Sequence, residues 1–157
     1  MSTFTFRTRI ARIAVAAVAA IGIAACSQAA TADASVGQVT AKLTITQYKP
    51  GYHNVAVFGK VPMSQTEAQG LIDSGHRVVM RLWGDDSYSD DLLLGPYNAT
   101  FYATSNGLEF HKVLIGLPDS LLDEDWGMDE LYVGVRVLSP TGGTLRAGES
   151  NRWYDFF

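Results

Sequence analysis

The chain has 157 residues, 47% of them hydrophobic and 18% charged, with a single cysteine, which is enough for one ordinary domain and too little for two. Beyond residue 25, nine basic residues stand against sixteen acidic ones, a formal charge of −7. That balance argues against a nucleic-acid binder, which needs clustered Lys and Arg, and the apolar content argues against a disordered chain.

Arg7, Arg9 and Arg12 precede an uncharged apolar run, residues 13–25, that ends in small side chains. This is the pattern of a secretory signal peptide. As a helix the run covers about 20 Å against a bilayer core of about 30 Å, too short for a permanent span. Ile23-Ala24-Ala25-Cys26, an aliphatic residue and two small ones before a cysteine, resembles the lipobox of bacterial lipoproteins. The resemblance covers the export segment alone. It implies that the Cys26 sulfur receives a diacylglyceryl group, that residues 1–25 are removed, and that Cys26 becomes the membrane-anchored N-terminus of an extracytoplasmic envelope protein. Small residues at Ala29-Ala30-Thr31-Ala32 offer the alternative of a general secretory cleavage that leaves Cys26 unmodified. A free exported cysteine is out of place in an oxidising compartment, and lipidation accounts for it. With Cys26 consumed, no disulfide forms and the core alone must hold the domain.

Residues 26–38 are small, polar and aperiodic, a flexible tether, and the domain is expected over 39–157. Val39, Ala41, Leu43 and Ile45 alternate with Thr40, Lys42, Thr44 and Thr46, which predicts a half-buried strand closed by Lys49-Pro50-Gly51. Val55, Val57 and Val61 predict a second strand ending at Pro62, with Ala56 and Phe58 on its other face. Ser64-Gln65-Thr66-Glu67 is a capping box, Ala68, Leu71 and Ile72 form an apolar stripe, and Gly75 is a stop: one short helix near 65–74. Val78, Met80 and Leu82 alternate with Arg77, Val79, Arg81 and Trp83 in a third strand. Residues 92–94 suggest a short fourth strand before Gly95-Pro96. Residues 101–104 and 108–115 flank Ser105-Asn106-Gly107, which predicts a hairpin turning at Asn106-Gly107. Leu131, Val133, Val135 and Val137 predict another strand, and the aromatic residues of 152–157 a terminal one.

Six to eight short strands with frequent turns and one helix predict an all-β protein, an antiparallel β-sandwich of immunoglobulin-, transthyretin- or C2-like type. The cysteine pair that marks immunoglobulin domains is absent, whereas the other two types are equally compatible. No βαβ rhythm supports a parallel sheet.

No G-x-S-x-G elbow, H-E-x-x-H helix, phosphate loop or cysteine nucleophile is present. His53, expected in a turn, His76 after the helix stop and His111 in a strand are scattered, so no zinc set forms from them. The acid is clustered instead. Asp85, Asp86, Asp90 and Asp91 lie in one segment, and Asp119, Asp123, Glu124, Asp125, Asp129 and Glu130 in another. Such carboxylates are either a solvated polar surface with Asp acting in turns and caps, or loops that hold a hard cation such as Ca²⁺. Asp123, Asp125 and Asp129 are the candidate ligands, at a spacing similar to calcium loops of C2 domains. As an EF-hand the segment fails, with Met128 where glycine is needed. If 92–94 is a spanning strand the two acidic loops are expected at opposite ends of the sandwich, and if it wanders they meet. Trp83, Tyr88, Tyr97 and Trp126 lie in or beside these loops, where exposed rings suit a sugar or peptide ligand and buried ones plug the end of the sandwich.

The expected function is that of a lipid-anchored envelope protein that binds a protein or glycan ligand without catalysis and without nucleic acid. Two alternatives stand beside it: an envelope hydrolase using the loop carboxylates, and a structural or assembly lipoprotein.

Overall fold

The computed structural model describes residues 38–86, 89–123 and 127–157. Two antiparallel sheets face each other. Strands β1 (Thr40–Lys49), β2 (Tyr52–Val61), β5 (Thr100–Thr104) and β6 (Gly107–Pro118) form the first, in the order β1-β2-β6-β5. The second runs β4 (Asp91–Asn98), β3 (Arg77–Gly84), β7 (Asp129–Leu138), β8 (Thr144–Glu149), with a short β9 (Trp153–Asp155) also pairing with β7. The fold is thus the expected all-β sandwich with one short helix.

Alternation decides which side chains meet in the middle. Leu43 and Ile45 of β1, Val55, Val57 and Val61 of β2, and Leu108 and Phe110 of β6 point inward from the first sheet. Val78, Met80 and Leu82 of β3 and Leu131, Val133, Val135 and Val137 of β7 meet them from the second. Helix α1 (Gln65–Asp73) packs Ala68, Leu71 and Ile72 against this core. Its capping box is complete: the Glu67 N–H donates to Ser64 Oγ at 3.2 Å, and the Ser64 N–H donates to Glu67 Oε2 at 2.8 Å. The Ser64 hydroxyl, which donates to Glu67 Oε2 at 2.7 Å, and then the Ser64 N–H hold the Glu67 carboxyl below its ordinary pKa.

Between β8 and β9 the chain leaves the β7 ladder, and Asn151 reaches the edge of the first sheet. Its Oδ1 accepts from the Leu43 N–H at 2.9 Å and its Nδ2 donates to the Leu43 carbonyl at 3.3 Å. The amide thereby copies the pairing of an absent neighbouring strand at a fully buried residue, where an unsatisfied N–H costs about 1–3 kcal/mol.

Three sequence expectations need correction, and one strand, β8 (Thr144–Glu149), was not foreseen. The fourth strand is not confined to 92–94. β4 has eight residues and passes through Gly95 and Pro96 with an irregular register against β3. Proline is tolerated there because β4 is an edge strand, so no ladder hydrogen bond depends on its missing N–H. β8, with the polar sequence TLRAGE, gave no alternation to read. The hairpin exists, but its two turn residues are Ser105 and Asn106. Gly107 pairs with Thr104 and alone takes the positive φ, +119°. His53 lies not in a turn but in β2, one residue from its start.

The fourth strand also changes the expected placement of the acidic segments. Asn98 pairs with Val79 in the second sheet and Thr100 with His111 in the first, so the chain changes sheets at Ala99 while keeping its direction. β4 and β5 together make one descent. Hence the described parts of the two acidic segments share one end although β4 is a full strand, and the Asp85 N–H donates to the Glu130 carbonyl at 2.7 Å.

Candidate functional site

At the acidic end, several carboxylates are engaged by side chains of the fold itself. Arg152, in the link between β8 and β9, forms ion pairs with Asp85 and, at 3.2 Å, with Glu149. Its guanidinium lies 3.9 Å from the centre of the Tyr132 ring. The Tyr132 hydroxyl donates to Asp90 Oδ2 at 2.6 Å. Because these ion pairs are part-exposed, each contributes about 1 kcal/mol or less. Burial opposes the charge on Arg152, but its hydrogen bonds to Asp85 and Glu149 outweigh that and raise its pKa.

Burial, and then the hydrogen bond to Asp90, push the Tyr132 phenol well above its ordinary value of 10.0. The linkage has a definite sign. Tyr132's contribution to stability is complete below pH 10 and is lost as pH rises from there towards the folded-state pKa, because the unfolded phenol ionises first. The melting temperature is therefore expected to fall above pH 10, and less steeply in Tyr132→Phe, which keeps the ring under Arg152 but cannot ionise. Equal slopes for the two proteins in an alkaline melting series would contradict this.

In the second acidic segment, Asp119 is engaged. His53 Nδ1 and Asp119 Oδ1 lie 2.9 Å apart, joining β2 to the 3₁₀ turn Asp119–Leu121. The Asp119 side chain, at the first residue of that turn, is directed towards His53 rather than capping the turn. Of the proposed calcium ligands, Asp123 is exposed, Asp129 is buried at the start of β7, and Asp125 lies outside the described residues. Glu124, Tyr88 and Trp126 lie outside them too. Among the described residues no group of three or more His, Cys, Asp or Glu side chains is placed to hold a metal ion.

A different arrangement stands out on the outer face of the second sheet. An open groove of about 1080 Å³ runs over β3 and β7, bounded by the start of β1, by β8 and by Pro96 and Asn98 of β4. Its floor follows from strand parity. Arg77, Val79, Arg81 and Trp83 are the outward residues of β3, alternating with buried Val78, Met80 and Leu82. On β7, Arg136 faces Val79, Gly134 faces Arg81, and Tyr132 faces Trp83. Arg136 is thus the diagonal neighbour of both Arg77 and Arg81, at a separation of about 7–8 Å.

Three of the five arginines beyond residue 25 therefore stand in one triangle on an acidic protein. Among the described residues, the ion pairs are His53–Asp119, Arg152–Asp85 and Arg152–Glu149, so none of the three is paired. Like charges on neighbouring strands repel, and an anion placed among them relieves that repulsion. Arginine is also the residue suited to this, because its planar fork matches carboxylate and phosphate oxygens bidentately.

Trp83 forms the aromatic end of the groove. It is half-buried on the outer face, not a plug of the core, and its indole lies against Gly134, where a Cβ would come 3.0 Å from Nε1. Glycine at 134 lets the ring lie across to β7. Tyr132 beside it is only 5% exposed under Arg152.

The outer face of the first sheet carries the other exposed surface. Phe58 and His111 stack with ring centres 6.1 Å apart, Tyr102 lies 6.2 Å from His111, and Val113 and Ile115 are exposed nearby. Among the described residues no helix is long and apolar enough to cross a membrane. No family model, curated protein or solved structure matches the chain.

Sequence reasoning named Arg77, Arg81 and Trp83 as one face of a strand but did not join them to Arg136. That step requires knowing that β3 and β7 are neighbours. The signal within reach was narrower: every arginine of these two strands occupies an outward position. The pairing of Arg152 with Asp85, 67 residues apart, left no local trace.

Proposed function

We propose that the chain is a non-catalytic binding domain of the cell envelope, held outside the cytoplasm by a lipid on Cys26, with its ligand lying along the outer face of the second sheet. The observation that carries this is the groove, in which three guanidinium groups without an ion pair among the described residues and a half-buried indole share one surface. Such a set holds and orients a ligand. The carboxylate on its rim, Glu149, is in an ion pair with Arg152, and the carboxylates of Asp85 and Asp90 are bonded to Arg152 and Tyr132, which leaves them as parts of the fold. The lipobox-like segment and the polar tether of residues 26–38 suit a domain that reaches from a membrane surface to an envelope ligand.

Site-specific photo-crosslinking in cells tests the placement. A photoreactive side chain at Val79, in the floor of the groove, is expected to give adducts with an envelope component. The same group at Lys42, on the outer face of the first sheet, is expected to give none. Adducts from Lys42 and not from Val79 would overturn the placement.

A further inference from the structure

We propose that the ligand of the groove is an anionic glycan, a sugar chain bearing carboxylate or phosphate groups, an assignment that rests on the binding role proposed above. Three features argue for it together. The triangle of Arg77, Arg81 and Arg136 offers forked donors at more than one point, about 13 Å apart along β3 at its widest, which suits a ligand with repeated anionic groups better than a single small anion. Trp83 adds a flat apolar surface at one end with an Nε1–H beside it, and Asn98 adds an amide on the β4 side, groups suited to sugar faces and hydroxyls.

The third feature separates a glycan from an acidic peptide. An extended peptide gains affinity by adding main-chain hydrogen bonds to a free sheet edge. Over β3 and β7 the backbone groups are already engaged, since β3 lies between β4 and β7, and β7 between β3 and β8. This surface therefore recognises through side chains alone, and what it offers is cations, an indole and an amide.

The test uses the mature full-length protein in detergent and four defined polymers: polygalacturonate, a phosphorylated mannan, a neutral galactan and polyglutamate. Binding is measured by calorimetry at two salt concentrations. Polygalacturonate, phosphomannan or both are expected to bind, more weakly at the higher salt, and the one that binds identifies the anion. The neutral galactan is expected not to bind. Arg81→Gln and Arg136→Gln should each weaken binding about tenfold, the effect of losing a charge-assisted hydrogen-bonding group, whereas Lys42→Gln should leave it unchanged. Trp83→Leu should weaken the glycan as well, and melting curves of the arginine variants, whose side chains lie on the surface, confirm that they are folded. Polyglutamate binding as tightly as the glycans, with Trp83→Leu without effect, would replace the assignment by an acidic peptide. Failure of all four polymers to bind, with Val79 crosslinks intact, would overturn the glycan and leave the binding role standing. Failure together with loss of the Val79 crosslinks would overturn both.

Discussion

Replacing Gly107 by alanine is expected to destabilise the domain by about 3 kcal/mol or more, and replacement by valine to prevent folding. Two independent causes act at this residue. Its φ of +119° lies in a region that side chains rarely adopt, and a β-branched residue there is strained whatever space surrounds it. Space is lacking as well. A Cβ at 107 would press into the carbonyl oxygen of Val61 and lie 2.8 Å from the Met63 nitrogen, both of them backbone atoms that cannot swing aside. Gly107 also starts β6, which pairs with β2 on one side and β5 on the other, so displacing it disturbs both of the ladders that β6 makes. Chemical denaturation reads the effect directly. Ser105→Ala, in the exposed turn itself, serves as the control that should unfold near the wild-type midpoint. A Gly107→Ala protein unfolding at the wild-type midpoint would contradict the hairpin geometry.

The second large effect tests the lipid anchor proposed at Cys26. Cys26→Ala is expected to move the protein from the membrane fraction to the soluble extracytoplasmic fraction. Each acyl chain gains about 0.8 kcal/mol per buried CH₂, and two chains together hold a protein stably where one does not. Without the sulfur, no thioether to the lipid forms, and the apolar run of residues 13–25 is too short to substitute as a spanning helix. The wild-type protein should resist a carbonate wash and begin at Cys26. A Cys26→Ala protein that stays in washed membranes with its full N-terminus would show that the segment is an anchor helix instead.

Where hydrophobic alternation was regular, strands could be read from the residues, as in the buried series of β1, β3 and β7. The capping box of α1 was equally plain, because its signals are local and each residue type has one role there. Failures came where a strand had little apolar content or broke a local rule. β8 is an exposed edge strand with no inward series, and β4 carries a proline that a central strand could not tolerate. The shared position of the acidic segments depended on one residue, Ala99, at which the chain changes sheets without turning back. No propensity at Ala99 announces that.

The groove was harder still to read. Its arginines are ordinary outward residues of two strands more than fifty positions apart, and they become a site only when β3 and β7 pair with Val79 opposite Arg136. The acidic runs drew attention in the sequence because they are contiguous. Among the described residues, Asp85, Asp90 and Asp119 have each acquired a partner, whereas Arg77, Arg81 and Arg136 make no ion pair.

The most direct measurement of where a ligand binds is amide chemical-shift mapping of the mature chain on addition of soluble glycan fragments from the cell envelope. Shifts concentrated at Arg77, Val79, Arg81, Gly134 and Arg136 are the expected result. Shifts concentrated instead at Ala56, Phe58, His111 and Val113, on the outer face of the first sheet, would contradict it.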